Sequence, residues 1–121
     1  MKTKKEIRQE YKEKVFPKGV FRVRNIVNGK IYIGSAMNLD VVWNSQRYKL
    51  NSGIHFSKEL QKEWDEFGED KFVFEIVDVL KENPETLITD KDVKQLESLY
   101  LDEFQPFGDR GYNKQVKKSG N

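Results

Sequence analysis

The pattern of apolar and polar positions changes period along the chain, and each change marks an element. From Gly19 the residues alternate, with Val20, Phe21, Val23 and Ile26 interleaved with Arg22 and Arg24, and a second β-rich run follows at Lys30-Ile31-Tyr32-Ile33-Gly34. Asn28-Gly29 lies between the two runs. Asn-Gly between alternating segments predicts a hairpin closed by a type I′ turn, whose two central positions both need positive φ. Alternation then gives way to helical spacing over Asn38 to Leu50, with Asn38 as N-cap and Leu39, Trp43 and Leu50 as the apolar stripe, ended by Asn51-Ser52-Gly53. A second helix is predicted from Phe56 to Phe67, where Phe56, Leu60, Trp64 and Phe67 form the stripe and Gly68 the stop. Period two returns from Phe72 to Leu80, a third strand, followed by a loop over Lys81 to Thr86 that contains Pro84. The last helix is predicted over Asp90 to Glu103, packing Val93, Leu96, Leu99 and Tyr100.

The ends of the chain are patterned more weakly. Ile7, Tyr11 and Val15 make a thin seam in an otherwise polar stretch, which leaves open an extra N-terminal helix or a basic arm. Pro106, Gly108 and Gly111 mark an irregular closing segment, and residues 115–121 read as a disordered basic tail. The order ββ, α, α, β, α suits an α+β fold: a small antiparallel sheet covered by helices. The expected organisation is a basic helical arm at 1–18, a domain at 19–114 and the tail at 115–121.

Composition narrows the chemistry. The 121 residues hold no cysteine and one histidine, which excludes thiolate redox sites, zinc ribbons, disulfide scaffolds and multi-histidine metal centres. Charged residues reach 35%, so the core must rest on few, large side chains; eight Phe, five Tyr and two Trp supply them. No apolar run approaches a membrane span, and the first residues lack the apolar block of a signal peptide, so the expectation is a cytoplasmic protein without a membrane partner. The formal net charge of +2 is unevenly spread: +4 over Met1 to Lys18, +4 over Gly19 to Ser57, −9 over Lys58 to Glu103 and +3 over Phe104 to Asn121. Basic ends around an acidic middle suit a one-sided surface for a polyanion, while the acidic block equally offers a surface to a protein partner.

The two β-rich runs carry Gly19-Val20-Phe21 and Tyr32-Ile33-Gly34, and the string continues in order through Gly34-Ser35-Ala36, Asn38-Leu39, Gly53-Ile54-His55, Leu60-Gln61 with Trp64, Phe67-Gly68, Phe72 to Ile76, Glu97 and Gly111-Tyr112-Asn113. Over about 95 residues this ordered set resembles the GIY-YIG endonuclease family, in particular phage and intron-encoded homing endonucleases. The resemblance implies a three-stranded antiparallel sheet flanked by helices. It also implies a shallow catalytic face on which one divalent ion, Mg2+ or Mn2+, serves phosphodiester hydrolysis.

Carried over position by position, the resemblance assigns catalytic roles to Tyr32, His55, Glu97 and Asn113, with Glu97 as the metal ligand. Three family positions are substituted. The GIY tyrosine, which orients or deprotonates the nucleophile, falls on Phe21; the catalytic arginine falls on Val42; and a histidine four residues later falls on Gln46. Positions 42 and 46 share one helical face, and an arginine acting on transferring phosphoryl charge is worth about three orders of magnitude in rate.

Each retained residue also has a purely structural reading: Tyr32 as a sheet tyrosine, His55 as a surface histidine, Glu97 as solvated charge and Asn113 as a turn cap. Candidate phosphate contacts are Arg22, Arg24, Lys30, Arg47, Lys49 and Arg110, with Arg22 and Arg24 on the opposite face of their strand from Phe21 and Val23. The leading expectation is a nuclease fold with a degraded site that binds nucleic acid, DNA foremost, or a nucleotide-like ligand. The alternatives are a weak or active Mg-dependent endonuclease and a protein-interaction domain of a phage or mobile element.

Overall fold

The computed structural model describes residues 3, 4 and 16–115. The expected N-terminal helix and most of the basic tail lie outside the described residues. Three strands, β1 (Lys18–Asn25), β2 (Ile31–Ala36) and β3 (Phe72–Leu80), form one antiparallel sheet in the order β2-β1-β3. Three helices flank it, α1 (Leu39–Asn51), α2 (Lys58–Phe67) and α3 (Asp90–Phe104). No described helix is long and apolar enough to cross a membrane.

Strand alternation decides which helices meet which face. Phe21 and Val23 point toward α1 and α2 and build the main core with Leu39, Val42, Leu50, Leu60, Trp64, Phe72 and Tyr112. Trp43 bridges Trp64 and Phe74 in that core, stacking on the Phe74 ring at 5.4 Å. The other face carries Val20, Arg22, Arg24, Ile33 and Ser35, and α3 lies across it: Ser35 reaches Glu97, Arg22 sits over the Phe104 ring, and Tyr100 donates to Asp78 at 2.7 Å. A side chain's sheet face is therefore set by its parity in the strand.

Two motif glycines are explained by close approach. A Cβ on Gly19 would lie 2.0 Å from the Asp78 carbonyl oxygen of β3, beside a bulge between Val20 and Phe21. A Cβ on Gly34 would lie 2.5 Å from Cζ of Phe21, whose ring covers that part of β2. Neither position requires unusual φ; each requires space.

Caps set the helix boundaries. Asn38 accepts from the Asp40 amide, Ser57 from the Leu60 amide, and Thr89 forms a reciprocal capping box with Asp92. Since Ser57 is the cap, α2 begins at Lys58 rather than Phe56, and Phe56 leaves the apolar stripe to stand 82% exposed. Leu99, expected in the core, is also exposed, on the solvent side of α3.

The hairpin forms, but not through a type I′ turn. Among non-glycine described residues only Gln105 has positive φ, so Asn28 cannot occupy the first central position of that turn. Asn25 instead donates its amide to the Lys30 carbonyl, closing a four-residue loop in which Gly29 alone is left-handed, at φ 79°. Asparagine side chains hold the wider loop: Asn25 Oδ1 accepts from the Val27 amide and Asn28 Oδ1 from the Lys30 amide.

Candidate functional site

β2 is an edge strand, and its free edge is where the chain's closing segment docks. Gly111 bridges Ile31 in parallel, and the Tyr112 amide donates to the Ile31 carbonyl at 2.9 Å. The Asn113 carboxamide then acts as a strand residue would: its Oδ1 accepts from the Ile33 amide and its Nδ2 donates to the Ile33 carbonyl, both at 2.9 Å. Both ends of the amide are consumed, so Asn113 positions the segment and the site around it. It is more than a turn cap.

Tyr112 is anchored at its other end. Its hydroxyl donates to Glu63 at 2.7 Å and accepts from the fully buried Asn25, while Asn28 and Lys30 also bond Glu63. Burial alone would raise the Glu63 carboxyl, but the bonds from Tyr112, Asn28 and Lys30 outweigh it and hold Glu63 below the usual range. Burial drives the Tyr112 phenol far above its ordinary value, so it remains a donor. This cluster joins the hairpin loop, α2 and residue 112, three segments with no sequence signal in common.

Between the docked segment, β2, α2 and α3 lies an open depression of about 650 Å³ whose lining includes Tyr32, Glu97, Asn113, Lys58, Lys94 and Lys114. Glu97 Oε1 accepts from Ser35 Oγ at 2.9 Å and lies 4.0 Å from the Lys94 ammonium. The Tyr32 hydroxyl is pushed up by burial and by the negative charge of Glu97, so the tyrosine is held as neutral phenol.

His55 lies behind Tyr32, ring edge to face at 5.1 Å, and is only 4% exposed. Its Nδ1 accepts from the Ser57 amide at 2.9 Å, so the ring proton sits on Nε2 and is given to Gln46 Oε1 at 2.6 Å. The histidine is no surface residue, and both its nitrogens are committed within the protein. Burial, reinforced by the Lys49 charge, lowers its basicity.

The positions at which the resemblance expects other residues are likewise internal. Phe21 is 2% exposed against Phe74, with ring centroids 5.5 Å apart, and Val42 belongs to the same apolar cluster. The seven motif positions thus divide into two layers: Tyr32, Glu97 and Asn113 line the open depression, whereas Phe21, Val42, Gln46 and His55 lie buried.

The expected phosphate contacts are redistributed. Arg22 and Arg24 both bond Glu75 at 2.9 Å on the α3 face, Lys30 is held by Glu59 and Glu63, and Arg47 pairs with Glu69 at 3.0 Å. Lys49 and Arg110 carry no such carboxylate pair among the described residues, and neither lines the depression. The cations that do line it, Lys58, Lys94 and Lys114, escaped the sequence reading. A signal was present: Lys94 is three residues before Glu97 on one helix, and Lys114 directly follows Asn113.

A buried neutral histidine makes stability depend on pH. Because the folded-state value lies below the ordinary value of about 6.5, the unfolded chain takes up the proton first, and stability complete above about pH 6.5 declines as pH falls. The expected loss is at most about 1.4 kcal/mol per pH unit within that window. Urea midpoints at pH 7.5 and 5.5 check it: the wild-type midpoint should fall, and His55→Gln should be less stable throughout yet flatter. Parallel declines in the two chains would assign the dependence elsewhere.

Comparison with known proteins agrees with this fold. The family model for the GIY-YIG catalytic domain matches residues 17–113. Intron-associated endonuclease 1 of Enterobacteria phage T4 is 32% identical over 85 residues, covering 66% of this chain. The match covers 33% of that relative, so the chain spans about a third of its length. Among solved structures, the catalytic domain of homing endonuclease I-TevI superposes with a TM-score of 0.66 at 25% identity, over 82% of this chain and 99% of that one. A point mutant of the intron endonuclease I-TevI catalytic domain superposes at 0.67 and 22% identity, over 81% and 93%, a likeness of fold.

Proposed function

The chain belongs to the GIY-YIG family, and from that premise we propose that it is a nucleic-acid-binding domain, DNA its foremost ligand, in which the hydrolytic site is impaired. One observation carries the reading: the positions where the family resemblance places a tyrosine, an arginine and a histidine are a buried phenyl, a buried valine and a glutamine that captures the Nε2 proton of His55. Nothing at 21 or 42 can orient a nucleophile or offset phosphoryl charge. The imidazole accepts no further proton without losing its bond from the Ser57 amide.

The divalent ion implied by the family fits the residues present in a limited way. No described group of three or more acidic or histidine side chains could cage a metal. Glu97 nevertheless lines the depression with one oxygen held by Ser35, and Mg2+ is commonly bound through one carboxylate plus retained waters. Glu97 would hold such an ion, which would supply Lewis acidity at a phosphate oxygen. Ser35 fixes the carboxylate and Lys94 lies on its flank.

Nicking of supercoiled plasmid with added Mg2+ or Mn2+ tests the proposal. The chain should cleave at least ~100-fold more slowly than a complete family domain, since one lost preorganised donor alone costs about that much. Tyr32 and Glu97 still share the depression, which favours slow residual cleavage as the second reading. Robust metal-dependent nicking that Glu97→Ala abolishes would establish an active endonuclease and sink the first.

A further inference from the structure

The most exposed of the large apolar side chains among the described residues is placed at the depression: Phe56 is 82% exposed and lines it together with Lys58, Lys94 and Lys114. Its placement is enforced by its neighbours. On one side His55 is buried, its amide donating to Gln61 Oε1 and its Nδ1 accepting from Ser57. On the other side Ser57 is buried, its hydroxyl donating to the Tyr112 carbonyl at 2.9 Å while it caps α2. A residue between two such anchors cannot rotate into the core, so the phenyl is presented to solvent on a rigid loop. Rigid presentation lowers the ordering cost of binding.

We propose that Phe56 is a stacking platform for an unpaired base, with Lys58 and Lys114 holding the adjoining phosphates, so that this domain prefers single-stranded or locally unpaired nucleic acid to intact duplex. The proposal rests on the nucleic-acid reading above and names the substrate class of the same depression. Charge and shape support it. Glu59 pairs with Lys30, which it shares with Glu63, and Lys94 flanks Glu97, while Lys58 and Lys114 are lining cations with no carboxylate pair among the described residues. An exposed ring beside free cations is the recurrent arrangement of single-strand binders, because every base offers a π face whereas the ring faces of a closed duplex are already stacked. The wide, open depression admits a flexible strand, and Tyr32 and Ile33 of β2 with the docked Tyr112 and Asn113 form its firm wall.

Fluorescence anisotropy of the full chain with labelled oligo(dT) of about 10 nucleotides and with a labelled duplex, both near 50 mM salt, tests the preference. Oligo(dT) should bind more tightly than duplex. Phe56→Ala should weaken oligo(dT) binding by about 5- to 150-fold, the range of one base stack, and leave duplex binding within about twofold. Phe56→Trp should keep the affinity and add fluorescence that oligo(dT) quenches. Lys114→Ala should flatten the salt dependence on either probe by about one unit of log-log slope. Binding of both probes that Phe56→Ala leaves unchanged would overturn the platform while sparing the nucleic-acid reading. Absence of binding to either probe would overturn both, and point to a protein partner.

Discussion

Replacing Gly19 with alanine is expected to destabilise the domain by roughly 3 kcal/mol or more, beyond ordinary overpacking. The new methyl would sit 2.0 Å from the Asp78 carbonyl oxygen and 3.0 Å from Val79 Cα. Both obstacles are backbone, so no rotamer change relieves the contact, and β1 must part from β3 where Gly19 pairs with Val79. A loss of that size is a large fraction of a domain's typical 5–15 kcal/mol. Gly53→Ala is the matched control: φ there is +73° but no atom lies within 4 Å, so only left-handed strain of about 1–2 kcal/mol applies. Urea unfolding followed by tryptophan fluorescence decides it. Equal losses in the two variants would mean that the strands tolerate separation at this point and that the motif glycine serves some other end.

The second large effect is a gain. Phe21→Tyr, Val42→Arg and Gln46→His together are expected to raise the nicking rate at least ~100-fold over the parent, whereas each change alone does little, because groups that act on one phosphate act as a unit. The structure sets the terms of that gain. Releasing His55 from Gln46 requires the change at 46, since Oε1 of that glutamine holds the Nε2 proton. Arginine at 42 starts from an 8% exposed position and must extend its stem along the α1 surface to bring its charge to water. Circular dichroism and an unfolding curve establish that the triple variant is folded before its rate is read. A folded triple variant no faster than the parent would mean that what limits nicking lies beyond these three positions.

How much of this was legible in the sequence depends on whether a feature is local. The three strands and three helices follow from period and caps: Asn38 and Gly68 sit at helix ends as their chemistry dictates. Arg22 and Arg24 fall opposite Phe21 because parity alone decides it. The turn type was not legible, since it depends on Asn25 being drawn into a buried bond with Glu63 and Tyr112, 38 and 87 residues away. The helical stripe misassigned Phe56 because the apolar spacing extends back through it, while the Ser57 cap, a hydrogen-bonding event, starts the helix only at Lys58. Leu99 failed for a similar reason: α3 covers only part of a small sheet, and one side of its stripe runs out into solvent. For the candidate site, the motif singled out positions but not their depth. That His55 and Gln46 satisfy each other inside the protein depends on two side chains meeting across the α1–α2 connection, and no spacing rule reports that.

The docking of residues 111–113 on β2 also bears on solubility. A bare edge strand is a template on which another chain can add, the first step of ordered aggregation. Here Asn113 occupies the outward amide and carbonyl of Ile33 with its own side chain, and Tyr112 takes the Ile31 carbonyl. The segment that completes the site therefore also denies this edge to other molecules. A substitution that frees it, such as Asn113→Ala, should show itself less as lost binding than as slow, concentration-dependent clouding of the solution.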